Sequence, residues 1–181
     1  MQRRTLLTVL IIVGLSWGVG QTAAAQRKSK SAKNPDATFV HQASGAGLAE
    51  VQAGNMALER AASAEVKAFG QRMVDDHTQA NQELTTLAQA KHIPVATKLD
   101  QKHQAMADTL AKLQGAEFEQ AYMAGQLADH EEAVRLFTTQ AQQGKDAELK
   151  AFAAKILPAL QGHLQLARNI TTQQKEERAR R

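Results

Sequence analysis

Between residues 36 and 171, apolar and small side chains recur at spacings that alternate between three and four. One run holds Val66, Gly70, Met73, His77, Ala80, Leu84 and Leu87. A second holds Met123, Leu127, His130, Val134, Phe137 and Ala141, and a third Leu149, Phe152, Ile156, Ala159, His163, Leu166 and Ile170. This spacing lays a single apolar stripe along an α-helix, which must bury it against other helices. Nothing in the region shows the period of two expected of a half-buried strand.

Punctuation between the runs predicts five helices. Asn34-Pro35-Asp36 supplies a cap followed by proline at the first helical position, so a first helix runs from about 36 to 60. A second begins at the cap Ser63, with Glu65 in its positive first turn, and ends before Pro94. A short third, about 98–113, is expected to start from Thr97 with Asp100 three residues on, and to stop at Gly115. The fourth covers about 116–143 and stops at Gly144, and the fifth runs from Asp146 to about 171. Pro158 lies inside the fifth and predicts a kink one turn before His163. Tight links near 61–63 and 144–145 make two hairpins, and the segment from 92 to 115 carries one to the other. The expected fold is all-α: a ferritin-like antiparallel four-helix bundle of two helical hairpins, with a short extra helix in the crossover.

The first 25 residues break this pattern. Arg3 and Arg4 precede an apolar stretch from Leu6 to Val19, and Ala23-Ala24-Ala25 follows. That order predicts a signal peptide over 1–25, cleaved before Gln26, because the apolar stretch is short for a bilayer that needs ~20 apolar residues. The paired arginines also suit an ordinary Sec-type leader, so the twin-arginine route is the lesser expectation. No cysteine is present, which excludes a lipoprotein anchor, disulfides and thiolate ligands. The predicted location is periplasmic or secreted.

Charge changes the picture at the ends. The formal net charge of +4 hides an acidic body: residues 36–167 carry −5 between basic ends. Residues 26–35 read as a disordered basic linker, 36–171 as the helical domain, and 172–181 as a charged C-terminal tail. Basic ends of this kind are solvated tails or contacts to envelope components. With aromatics only 4% of the chain, nucleic acid is not an expected partner. The oligomeric state is not legible.

Each of the three stripes carries a histidine where leucine would serve. A buried imidazole needs partners for both nitrogens, or a metal on one. Counting from the turns at 1.5 Å per residue puts His130 and His163 within ~6 Å of one level, with His77 close to it. Three imidazoles in one layer suit zinc, copper or iron. Glu50 lies near that level on the first helix, among Ala43, Gly47, Gly54 and Ala57, and is expected to assist as a fourth ligand. The competing reading is a polar layer in which these histidines bond to Glu50, Asp76, Tyr122 or Gln126. Asp76 and Asp129 each precede a histidine, so they point about 100° away and are expected behind the ligands or in solvent.

Other chemistry is excluded more easily. A di-iron bundle needs Glu-x-x-His on two helices, but Val74, Leu127 and Leu160 stand three residues before the histidines. Gly45-Ala46-Gly47 lacks the lysine of a phosphate loop, and no serine has a nucleophile signature. Asp75-Asp76 and Glu131-Glu132 are adjacent pairs on solvated faces, and His41, His92 and His103 are expected to be exposed. No catalytic motif is found.

Several of these residues also carry a resemblance. Glu50-x3-Gly54-x2-Ala57, Met73-Val74-Asp75-Asp76-His77, Gly115-x2-Phe118-x3-Tyr122, His130 and Leu157-Pro158-x4-His163-Leu164 together resemble an exported bacterial family, domain of unknown function 4142. The likeness covers about 38–168; Glu119 departs from it, where the family often has aspartate. It implies a ferritin-like bundle outside the cytoplasm and no established activity. The sequence therefore predicts an exported helical protein that binds a transition metal through His77, His130, His163 and Glu50. The alternative is a structural or stress-associated envelope module without metal.

Overall fold

A computed structural model describes residues 34–180. The expected signal peptide and most of the basic linker lie outside the described residues. Five helices follow in order: α1 (Pro35–Arg60), α2 (Ala64–Ala90), α3 (Gln101–Leu110), α4 (Gly115–Gln143) and α5 (Ala147–Ala179). No strand occurs among the described residues, and none of the described helices is long and apolar enough to cross a membrane.

Side-chain caps start α1, α2 and α5 where the sequence indicates. Asn34 accepts a hydrogen bond from the Asp36 backbone N–H, Ser63 from that of Val66, and Asp146 from those of Glu148 and Leu149. Each side-chain oxygen satisfies an N–H that has no partner within its own helix. The short helix differs from expectation. Its cap is Asp100, whose carboxylate accepts from the His103 N–H, and not Thr97. Gly115 does not stop α3, which ends at Leu110. It opens α4 instead with φ +56, a left-handed conformation that suits glycine.

The α5 helix also runs beyond its expected end near 171, so the charged segment from 172 is helical through Ala179. Gln174 and Arg178 reach back to Glu119 and Gln120 on α4, giving these turns tertiary partners.

Helix α1 packs on α2 and α4 on α5, and the hairpins meet through α1–α4 and α2–α5 contacts. Helix α3 lies against α1 and α4, and the Ser44 hydroxyl accepts from the Ala96 N–H to hold the crossover on α1.

The hairpins also repeat one another, which the apolar stripes had not revealed. One register pairs Asp36 with Glu119, Phe39 with Tyr122, Val40 with Met123, Ser63 with Asp146, and Phe69 with Phe152. The first pair performs the same task at opposite ends of the molecule. Asp36 accepts from Gln140 and from the backbone of Lys145 and Asp146 in the α4–α5 turn. Glu119 accepts from the backbone of Ala62 and Ser63 in the α1–α2 turn, and from Gln174. Each hairpin thus pins the turn of the other with a buried carboxylate.

Helices α1 and α2 touch backbone to backbone at Gly54 and Gly70. A Cβ on Gly54 would lie 2.7 Å from the Gly70 carbonyl oxygen and 2.9 Å from a Val74 methyl. Backbone cannot rotate aside as a side chain can, so Gly54→Ala is expected to cost about 1–3 kcal/mol. Gly162→Ala, where nothing lies within 4 Å, is expected to gain up to about 1 kcal/mol from helix propensity. Urea unfolding of both variants checks the opposite signs, and a stable Gly54→Ala protein would disprove the close contact.

Candidate metal centre

The apolar interior is divided into two clusters. One contains Val66, Phe69, Met73, Phe118, Tyr122, Met123 and Ile170; the other contains Phe39, Val40, Leu84, Phe137, Phe152 and Leu160. Every long helix passes from one cluster to the other, and each places a buried polar side chain at the crossing. These are Glu50 on α1, His77 on α2, Gln126 and His130 on α4, and His163 on α5.

The three imidazoles form a near-equilateral triangle. Ring centroids are 5.6 Å apart for His77–His130 and His77–His163, and 5.3 Å for His130–His163. One nitrogen from each ring lies within 4.8 Å of one from each of the others. The sequence had suggested that the antiparallel helices bring these levels together, and they do.

Surrounding groups set the tautomers of two rings. His130 Nδ1 lies 3.0 Å from the Gln126 carbonyl oxygen. A carbonyl only accepts, so Nδ1 carries the proton and Nε2 keeps a lone pair. His163 Nε2 lies 2.8 Å from the Asp76 carboxylate and donates to it, leaving the lone pair on Nδ1. Asp76 therefore stands behind a ring, as its place beside His77 in the sequence suggested, but the ring belongs to a different helix.

His77 Nε2, His130 Nε2 and His163 Nδ1 are buried and have no hydrogen-bond partner among the described residues. Burial, reinforced by the neighbouring His130 and His163, holds His77 well below the ordinary imidazole range. Burial also lowers His163, against the pull of Asp76. Both rings are thus neutral near pH 7, the form in which a lone pair is free to bind a cation.

Glu50 is buried, but the structure does not gather it with the imidazole nitrogens. Its Oε2 accepts from Gln126 at 2.6 Å, and its Oε1 lies 3.6 Å from His130 Nδ1, the nitrogen already turned to the Gln126 carbonyl. As a fourth ligand Glu50 is misplaced; it stands behind His130. Axial counting found its level but could not show which side of the ring it faces. Burial raises its pKa, partly offset by His130 and Gln126.

Tyr122 lies in the adjoining cluster, its hydroxyl buried and unpartnered among the described residues. His41 and His92 are exposed as expected, but the His103 side chain is 11% exposed, with Nδ1 2.8 Å from Asp100. The Asp100 cap turns that imidazole inward toward α4.

A family model described as a domain of unknown function (DUF4142) matches residues 21–170. The chain belongs to the DUF4142 family. Among curated proteins none matches it in sequence. Solved structures that share the fold of this DUF4142 protein include the following three. CopM in the Cu(II)-bound form aligns with a TM-score of 0.65 at 19% identity, covering 76% of this chain and 96% of its own. CopM in the Cu(I)-bound form gives 0.64 at 16% identity, with the same coverage. A DUF305 fragment from Deinococcus radiodurans gives 0.69 at 13% identity, covering 77% of this chain and 96% of its own. At these identities the likeness is one of fold.

Proposed function

We propose that this is an exported ferritin-like four-helix bundle that binds a transition-metal ion through His77, His130 and His163. Glu50 and Asp76 orient the rings from behind. One observation carries the reading: three imidazoles on three helices converge within 4.8 Å, each with a buried, unpartnered ring nitrogen. A polar layer serving only fold specificity would turn those nitrogens toward partners, since each one left unsatisfied costs about 1–3 kcal/mol. An envelope module without metal leaves that cost unexplained.

Two metal–nitrogen bonds of 2.0–2.1 Å span at most ~4.2 Å. Three nitrogens sharing one ion lie at most about 3.6 Å from one another, so nitrogens up to 4.8 Å apart need to draw in by about an ångström. Neutral imidazoles suit copper, zinc and iron. Copper is the first to test, because CopM binds it on the same fold at low identity. The leader-like sequence over 1–25 supports a periplasmic or secreted location.

The purified protein is expected to take up one copper or zinc ion per chain and to unfold at a higher temperature when loaded. A His77→Ala/His130→Ala/His163→Ala triple variant is expected to bind none at the same free-metal concentration. Equal uptake by that variant, or no stoichiometric uptake by the unaltered protein, would overturn the reading.

A further inference from the structure

We propose that the cation reaches the three imidazoles through the face formed by α1, α3 and α4, passing the carboxylates of Glu132 and Asp129. The proposal rests on the metal reading above and concerns how that centre is filled.

Three neighbouring cavities share their walls. A cleft of about 370 Å³ is lined by Asp100, His103, Asp129 and Glu132. A smaller cavity of about 30 Å³, room for about one water or ion, is lined by Glu50, His77 and His130. Ala46, Asp129 and Ala133 line both, so side chains no larger than methyl groups stand beside Asp129 at the partition. A third cavity of about 20 Å³, lined by Glu50, Gln126, Asp129 and His103, adjoins them. Asp129 faces all three spaces, and Glu50 faces the two inner ones.

Charge along the way is acidic on balance: Asp100, Asp129 and Glu132 outnumber Arg135 in the cleft wall and Lys102 beside it. Asp129 is mostly buried, with its side chain 16% exposed, whereas Glu132 at the mouth is 63% exposed. The Lys102 ammonium sits 2.8 Å from each of these carboxylates, on a side chain that is 53% exposed. It holds the place of an arriving cation and can swing into water as one enters, so neither carboxylate is left without a positive partner. The Lys102–Glu132 contact is exposed on both sides and contributes little to stability, so it is readily given up.

The other approach is by Asp76, whose carboxylate is 41% exposed. Asp76 meets His163 at Nε2, whereas the unpartnered nitrogen is Nδ1. An ion on Asp76 would therefore stand behind the ring. The inner cavity instead adjoins His77 and His130 directly.

Rapid mixing of the purified protein with Cu²⁺, followed by absorbance, measures the rate of loading. Separate equilibrium titrations measure stoichiometry. Glu132→Gln and Asp129→Asn, singly and together, are expected to slow loading about tenfold or more, as loss of a steering field does, while stoichiometry stays at one. Lys102→Met is expected to speed it, and Ala133→Leu to slow it by narrowing the partition. Glu132→Gln and Lys102→Met change exposed side chains, so they remain informative if a buried variant fails to fold.

Unchanged rates in Glu132→Gln and Asp129→Asn, with slowing in Asp76→Asn, would overturn the route and leave the centre intact. Absence of uptake by the unaltered protein would remove the centre and the route together.

Discussion

His77→Leu is expected to make the metal-free protein more stable and the metal-loaded protein less so. Leucine fills a similar volume and brings no polar atom into the layer. The unpartnered Nε2 disappears with its desolvation cost. The expected gain without metal is about 1–2 kcal/mol, the usual scale for removing an unsatisfied buried polar group. With metal present the sign reverses. A ligand at a thousand times its dissociation constant adds about 4 kcal/mol to the native state, and a centre reduced to two imidazoles forfeits most of that.

Thermal unfolding with and without copper measures both terms. A variant destabilised without metal yet still stabilised by it would show that His77 serves packing and not binding. Three unpartnered imidazole nitrogens in one buried layer are a weak point when no cation is bound.

The second large effect lies at the two ends of the molecule. Asp36→Ala and Glu119→Ala are each expected to lower stability by about 2–4 kcal/mol, because each carboxylate accepts charge-assisted bonds from two backbone N–H groups and a glutamine. Removing either leaves several donors without acceptors where the turns are partly buried. The two sites share no partner, so the double variant should lose close to the sum of the single losses. Urea unfolding checks this. Losses below about 1 kcal/mol would mean that water replaces the carboxylates. Glu119→Gln keeps an acceptor oxygen without the charge and should fall between glutamate and alanine.

Neither carboxylate stood out in the sequence. Asp36 read as an acidic residue at a helix start, and Glu119 only as a departure from a family pattern. Each acts on a turn more than twenty residues away in the chain, and only the docking of one hairpin on the other reveals the target. The repeat that relates them was also hidden, because most paired positions keep only their apolar or capping character.

What was legible follows from short-range rules. Helix starts at Asn34, Ser63 and Asp146 come from side chains that reach the next turn of their own helix. The two hairpins follow from stripes and short links. That His77, His130 and His163 share a level was accessible because rise per residue is constant. The start of α3 is ambiguous in sequence because Thr97 and Asp100 are both plausible caps, and the tie of Ala96 to Ser44 on α1 helps place the crossover before α3 begins.

The sequence by itself determined the helices, their order and the depth of three imidazoles, since all of these depend on spacing along the chain. The tertiary structure alone decided direction around each helix axis. It placed Glu50 behind His130 and not among the three clustered nitrogens, gave Asp76 to His163, and set adjoining cavities along α1, α3 and α4. A shift of one residue turns a side chain by about 100°, and inter-helix packing sets the final rotation of each helix, which no count along the chain supplies.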